Sequence, residues 1–471
     1  MIDAVYLLVL GLLGIFGLHR SWLVWTYLRR TPTSTSTRTS TEPSPVVTVQ
    51  LPIFNELAVA ERLIDAVAAI RWPRLEIQVL DDSEDETVEI CARKVAELRE
   101  KGIDAVHVRR GTRQGFKAGA LQNGLHTAKG ELICIFDADF LPDPDVLERA
   151  VPAFSDLRVA MVQLRWGHLN REASWLTRAQ ALLLDGHFAV EHGARHAAGR
   201  FFNFSGTAGV WRRAAIVDAG GWQHDTLTED MDLSYRAQLR GWRFVYLDGA
   251  EVPAELPADM AAFRSQQFRW AKGQTQVARK LLPSVVRARL PLAVKLEAGF
   301  HLANNVAYIL LLALGLLMLP QVVAGGPPPG GAALEALVLA VGTGSVAAFY
   351  LAARGGRALS ELPLVMALCC GLALSQSRAV VEALAGRASG FVRTPKRGAG
   401  GPVYPSPPSR LPLVELTLAG YFALTAALAA AGGRWATLPF ALLFAAGFAA
   451  VALASGKKNG PSAEPMGRGL Q

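Results

Sequence analysis

The chain has 471 residues, room for two or three domains, but 51% of them are hydrophobic and the mean hydropathy is +0.24, which argues against a wholly soluble protein. Its net charge of +8 does not argue for nucleic acid, because Arg and Lys cluster beside apolar segments, as the positive-inside rule and anionic headgroups require. The four cysteines (Cys91, Cys134, Cys369, Cys370) show no metal-ligand spacing, which fits a reduced, cytosol-facing protein without a disulfide framework.

In chain order, Ile2 to Leu18 is apolar and just long enough to span a bilayer, with an aromatic and basic border at Trp22, Trp25, Tyr27, Arg29 and Arg30. Residues 1–30 therefore read as an anchor whose C-terminal end is cytoplasmic; a cleaved signal peptide is disfavoured by the missing basic n-region and cleavage site. The low-complexity run "TPTSTSTRTSTEPSP" makes 31–45 a flexible tether. From 46 to 258, short β-rich runs ("VVTVQLPIF", "EIQVLDD", "DAVHVRR", "LICIFDADF", "VAMVQLRW", "RFVYLDG") alternate with amphipathic helical stretches. That alternation predicts an α/β domain with a mixed, mostly parallel sheet covered by helices, and ligands beyond the C-terminal ends of its strands.

Residues 259–290 are basic and amphipathic with interleaved aromatics, as suits a helix in the membrane interface. An α-helical transmembrane region is expected over 291–454, with spans near Leu292–Leu319, Ala332–Ala353, Leu411–Ala431 and Ala436–Ala454. The segment Leu362–Leu384 is interrupted by "SQSR" and followed by a basic loop, so it is expected not to cross, for five crossings in all. Residues 455–471 read as a disordered tail.

Four constellations could carry chemistry. Asp81 and Asp82 end a strand, where they could be helix caps or could accept hydrogen bonds from a base or ribose. Asp137 and Asp139 in "FDADF" are placed on an extended chain, pointing the same way, where they could share a hard cation, Mg²⁺ or Mn²⁺, with phosphate oxygens. Thr228, Glu229 and Asp230 open a helix, either as cap and dipole charges or with Asp230 as a general base. Gln266, Arg269 and Trp270 in "QQFRW" are interfacial anchors, or else Trp270 offers a face to a sugar ring and Arg269 a charge to a diphosphate.

Taken together, D, D-x-D, T-E-D and Q-x-x-R-W resemble the family 2 processive glycosyltransferases of the cellulose synthase superfamily. The likeness extends through "VQLPIFNE", "GFKAGALQNGL" and "GTAGVWRRAAIVDAGGW", and is most similar to the cellulose synthase-like A and C groups, which make mannan, glucomannan and glucan backbones. The resemblance implies a GT-A-like cytosolic domain and an inverting transfer of hexose from UDP-glucose or GDP-mannose to a growing β-linked polysaccharide. It makes Asp230 the base, puts Asp82, Lys117 and Arg269 on the nucleotide sugar, gives Asp137 and Asp139 the metal and diphosphate, and sets Glu229, Gln266 and Trp270 at the acceptor. It likens "FVRTPK", in the loop 386–398, to the family's gating loop F-x-V-T-x-K through Phe391, Thr394 and Lys396, although Arg393 replaces the usual Val. Ser205 in "NFSGTAG" stands where the plant-like pattern has Asn, a departure that bears on donor or acceptor choice. The expected setting is a bacterial inner membrane with the catalytic domain cytoplasmic. Two alternatives stay open: a non-processive transferase with a lipid acceptor, as in ceramide glucosyltransferases, and a non-catalytic membrane receptor or transporter.

Overall fold

The computed structural model describes residues 2–31, 44–325, 331–387 and 411–456. Most of the expected tether, the gating-like loop with Phe391, Thr394 and Lys396, and the tail lie outside the described residues.

Seven strands form one sheet: β1 (Val47–Ile53), β2 (Leu75–Asp81), β3 (Asp104–Val108), β4 (Leu132–Ile135), β5 (Val159–His168), β6 (Gly209–Arg212) and β7 (Arg243–Ala254), in the order β3-β2-β1-β4-β6-β5-β7. The first four pair in parallel, β6 runs antiparallel to both β4 and β5, and β7 is again parallel to β5. Alternation decides the two cores. Leu132 and Cys134 of β4 enter one cluster with Val47, Val49 and Leu51, while Ile133 and Ile135 enter the other. Helices α2 (Ala60–Ala68), α3 (Thr87–Glu100) and α5 (Val146–Ala150) cover the first face. Helices α4 (Phe116–Thr127), α8 (Arg213–Asp218) and α9 (Glu229–Leu239) cover the second, and α6 (Trp175–Asp185) and α7 (Gly193–Ala197) turn toward the apolar helices. Strand β6 was not foreseen as a strand: four residues beside a Gly-rich turn carry too little periodicity to announce one.

Beyond the sheet, Asp259 caps α10 (Met260–Arg287) by accepting from the Ala262 amide at 2.8 Å. The expected span Leu292–Leu319 is divided. Helix α11 (Leu292–Ala303) packs on α10 through Ala298 and Leu302, and α12 (Val306–Val323) starts afresh. The reason is polar: Glu297 of α11 is buried and accepts from Arg195 at 2.9 Å, and His301 meets the Tyr235 hydroxyl at 2.8 Å, so α11 belongs with the sheet domain.

Helices α13 (Gly331–Arg354), α14 (Leu362–Leu384), α15 (Leu411–Ala431) and α16 (Leu438–Gly456) follow. With α1 (Ile2–Arg29) and α12, the described residues contain six helices long and apolar enough to cross a membrane. Helix α14 differs from the rest. It runs unbroken through "SQSR", and 61% of its most apolar window is buried inside the protein, against 17–33% for the other five. Both of its ends are tied to the sheet-domain side: Glu361 pairs with Arg171 at 2.6 Å, and Glu382 with Lys272 of α10 at 2.9 Å. On the same side lie the C-terminal ends of α1, through Arg30 and Asp248, and of α13, through Arg354 and Asp185 at 2.7 Å. The start of α15 joins them through Glu415 and Arg264 at 3.1 Å. The opposite ends of α1 and α12 meet through Asp3 and Gln321 at 2.9 Å.

Candidate active site

A cavity of about 210 Å³ opens beyond the C-terminal ends of β1, β2 and β4. Asp82, Lys117, Asp137, Asp139, Glu229, Asp230, Gln266, Arg269 and Trp270 all line it, so side chains spread over 189 sequence positions converge on one space.

Strand β4 ends at Ile135, and Asp137 and Asp139 sit in the tight turn beyond it, where the Phe140 amide donates to the Asp137 carbonyl at 3.0 Å. They therefore do not alternate along an extended chain as the sequence suggested. The ladder stops because the antiparallel β6 pairs only as far as Gly209, opposite Ile135, and the chain then turns into the cavity. The Asp137 amide is held by the Thr207 hydroxyl at 2.8 Å.

Lys117 bridges the turn and the loop before β6. Its ammonium lies 2.5 Å from the Asp137 carboxylate and donates to the Gly206 carbonyl at 2.8 Å. Burial pulls its pKa down, but the charges of Asp137, Glu229 and Asp230 outweigh that and hold it above the usual lysine value. Gly206 has φ +86°, and a Cβ there would come within 2.9 Å of the Asp230 carboxylate, so glycine is needed for both conformation and space. Phe116 and Ala208, at φ 48° and 50°, are held in the left-handed region on either side of this contact, local strain of the kind found at functional sites.

Asp230 occupies the first turn of α9, where its carboxylate accepts from the Met231 amide at 2.8 Å. Burial and the adjacent Glu229 charge push its pKa up to about 7, against the opposing pull of that amide and of Lys117. Thr228 stands at the N-cap of α9 but makes no side-chain capping bond: its hydroxyl is buried without a hydrogen bond among the described residues. It packs instead on Gly273 of α10, where a Cβ would approach its methyl group to 2.5 Å. This close approach brings α9 against the helix that carries Gln266, Arg269 and Trp270. Arg269 is pulled below the usual guanidinium value by burial, while Glu229, Asp137 and Asp230 act in the opposite direction. Trp270 extends an aromatic wall, its ring 6.4 Å from Trp166, which in turn lies 5.1 Å from Phe140 and 5.0 Å from Phe188.

Asp82 is clamped by Arg110, which donates from Nε at 2.7 Å and from a terminal nitrogen to the second oxygen. Neither Asp81 nor Asp82 caps α3, whose N-cap is Glu86. Arg110, the aromatic Trp166, and Arg113 stacked 3.2 Å over Phe54 were all missed from sequence. For Arg110 a signal existed: it follows β3, the parallel neighbour of β2, so its side chain emerges at the same end of the sheet.

The cavity wall bears Glu56, Asp82, Asp137, Asp139, Glu229, Asp230 and Glu255 against Arg113, Lys117 and Arg269. An excess of carboxylates, two of them side by side on one turn, suits a divalent cation shared with a ligand's phosphates. No cluster of three or more His, Cys, Asp or Glu ligands forms among the described residues, so such an ion would need oxygens from the ligand.

Residues 43–273 match the protein family described as "Glycosyltransferase like family 2". The chain is similar to glucomannan 4-beta-mannosyltransferase 1 of Oryza sativa subsp. japonica, 44% identical over 254 residues, or 52% of this chain and 49% of that protein. It is also similar to glucomannan 4-beta-mannosyltransferase 2 of Arabidopsis thaliana, 46% identical over 250 residues, or 52% and 47%. The matches thus span about half the length of these curated relatives. Among solved structures, the mannosyltransferase PcManGT from Pyrobaculum calidifontis, in complex with GDP-Man and Mn²⁺, superposes with a TM-score of 0.59 at 22% identity, over 82% of this chain and 100% of that one. That likeness shows a common fold, in agreement with the GT-A-like expectation. The relatives named are plant proteins, and the expectation of a bacterial inner membrane finds no support in them.

Proposed function

From the premise that the chain carries a family 2 glycosyltransferase domain over residues 43–273, we propose that it is a membrane-embedded inverting mannosyltransferase that extends a β-linked mannan or glucomannan from GDP-mannose. The observation that carries this reading is the convergence of Asp230, Lys117, Arg269 and Trp270 with the Asp137–Asp139 turn on one cavity. The donor is inferred from the relatives' mannosyl specificity.

In this reading the acceptor sugar rests on Trp270 and Trp166, with its hydroxyl directed at Asp230. Asp230 takes the hydroxyl proton as the oxygen attacks the anomeric carbon and the bond to the diphosphate breaks on the opposite side, inverting the configuration. A base whose pKa is raised to about 7 is matched to this task at neutral pH, since it stays available to take a proton while being more basic than an ordinary carboxylate. Lys117 and Arg269 face the same space and stabilise the negative charge that accumulates on the leaving group. Asp137 and Asp139 would hold a divalent cation, Mg²⁺ or Mn²⁺, which supplies further neutralisation of the diphosphate when bound. Arg110 keeps Asp82 oriented toward the nucleoside.

The apolar helices give the membrane setting. Because both ends of α14 are paired on the sheet-domain side and most of it is buried, we place it alongside α10 in the interface, leaving α1, α12, α13, α15 and α16 as five crossings. The basic border at Arg29 and Arg30 puts the sheet domain in the cytoplasm.

The test is direct. Purified protein is incubated with GDP-mannose or UDP-glucose and with Mg²⁺, Mn²⁺ or a chelator, and product length and linkage are determined. Metal-dependent release of GDP with β-linked mannan as product is expected. A single sugar on lipid, preference for UDP-glucose, or no nucleotide release would each overturn the corresponding part of the proposal.

A further inference from the structure

A second cavity, of about 380 Å³, lies among α1, α12, α13, α14 and α16, away from the sugar-transfer site. Its wall is largely apolar, with Leu10, Phe16, Leu314, Val346 and Phe349 among the lining side chains. His19, His187, Glu191 and Arg195 also line it and are ion-paired with one another or with Glu297, which leaves one charged side chain of the wall without an opposite charge among the described residues. Arg20 of α1 lines the cavity, and its side chain makes a single 3.5 Å contact with the Ser345 hydroxyl; no carboxylate lies within 4.0 Å of it among the described residues.

The nearby acids are already engaged. Glu191 accepts from Arg195 at 3.1 Å and His187 at 3.0 Å, and Glu297 from Arg195 at 2.9 Å and His19 at 2.7 Å. Other cations at the same end of the apolar helices have carboxylate partners: Arg30, Arg264, Lys272 and Arg354. An arginine in a spanning helix is costly without a counter-charge. Arg20 lies nine residues before Arg29 on one continuous helix, about 14 Å along the axis at 1.5 Å per residue, which sets it at the boundary between headgroups and acyl chains. The volume is that of a small-molecule site.

We propose that this cavity receives the phosphate and one acyl chain of a phospholipid drawn from the leaflet on the sheet-domain side, the phosphate paired with Arg20, the chain along the apolar wall and the rest of the lipid left in the bilayer. The lipid then supplies the counter-charge that Arg20 lacks among the described residues. Binding needs no transfer activity, so it is measured independently of the sugar-transfer reading.

The full chain is purified in detergent, and native mass spectrometry and thermal unfolding are recorded with phosphatidylglycerol, with diacylglycerol of the same chains, with inorganic phosphate and with a manno-oligosaccharide. Phosphatidylglycerol should bind one per chain and raise the unfolding temperature. Arg20→Gln should weaken it about tenfold, as loss of a charged hydrogen bond does. Gly342→Leu is the second variant: Gly342 lines the cavity and a Cβ there meets no atom within 4 Å, so the added side chain fills the space without disturbing the helix backbone. It should exclude the lipid while Arg20 remains. Equal binding by diacylglycerol, an equal effect of inorganic phosphate alone, competition by the oligosaccharide, or unchanged lipid binding in both variants would each overturn the proposal.

Discussion

Asp230 carries the sharpest predictions at the scale of single residues. Its replacement by Asn removes the base while keeping size and shape, and should lower kcat by about 10²–10⁴-fold with the KM for GDP-mannose little changed. Retention of most of the turnover would remove Asp230 from the mechanism. The pH dependence follows from the direction of its shift. A base must be unprotonated, so a pKa raised to about 7 means that kcat/KM falls as pH drops through that value. Because the Glu229 charge is part of the cause, Glu229→Gln should move the acid limb of the profile to lower pH. A limb that stays in place would show that another group titrates. Arg110 is the second case. With both oxygens of Asp82 on one guanidinium, and the two side chains only 14% and 7% exposed, Arg110→Met leaves a nearly buried carboxylate without its partner. The loss of stability should be on the order of 3 kcal/mol, read from denaturant unfolding, and Arg110→Lys should recover only part because the fork geometry is lost.

Among elements, the contact between α9 and α10 governs the distance from the base to the acceptor platform. Gly273 makes that contact possible, since any Cβ there would press on Thr228, whose neighbour Glu229 opens α9. Gly273→Ala should therefore displace α10 relative to Asp230 and reduce kcat by up to about 10²-fold, as misplacement of catalytic groups does, with a smaller stability loss of about 1–3 kcal/mol from overpacking. Activity at the wild-type level would mean that the two helices do not set the site. The same reasoning shows where sequence patterns lose resolution. The strands β1, β2 and β4 were legible because their runs are rich in apolar residues and buried on both faces, whereas β6 is four residues long and owes its place to partners on either side, β4 and β5. The span predicted from Leu292 was divided because hydropathy averages over Glu297 and His301, whose partners come from distant segments.

For the whole molecule, the ion pairs that gather helix ends on one side make a topological prediction. In a background lacking the native cysteines, single cysteines at Ser360 and Arg387, flanking α14, should both react with a membrane-impermeant maleimide from the sheet-domain side. A cysteine at Gly433, between α15 and α16, should react only from the other side. Labelling of the two α14 flanks from opposite faces would make α14 a sixth crossing.

The residue types of the site and their order along the chain, with the alternation of strands and helices and the apolar composition of the spans, follow from the amino-acid sequence alone, because each is a local property of side chains and their period. Asp137 and Asp139, Glu229 and Asp230, and Gln266 to Trp270 were recognisable in this way. Only the tertiary structure decides that these groups, from Asp82 to Trp270, share one cavity, that Asp230 is buried beside a second carboxylate, that Arg110 holds Asp82, and that Arg20 has no acidic partner among the described residues. The physical reason is common to all four: burial and charge pairing depend on distances between segments remote in sequence, and those distances are set by packing.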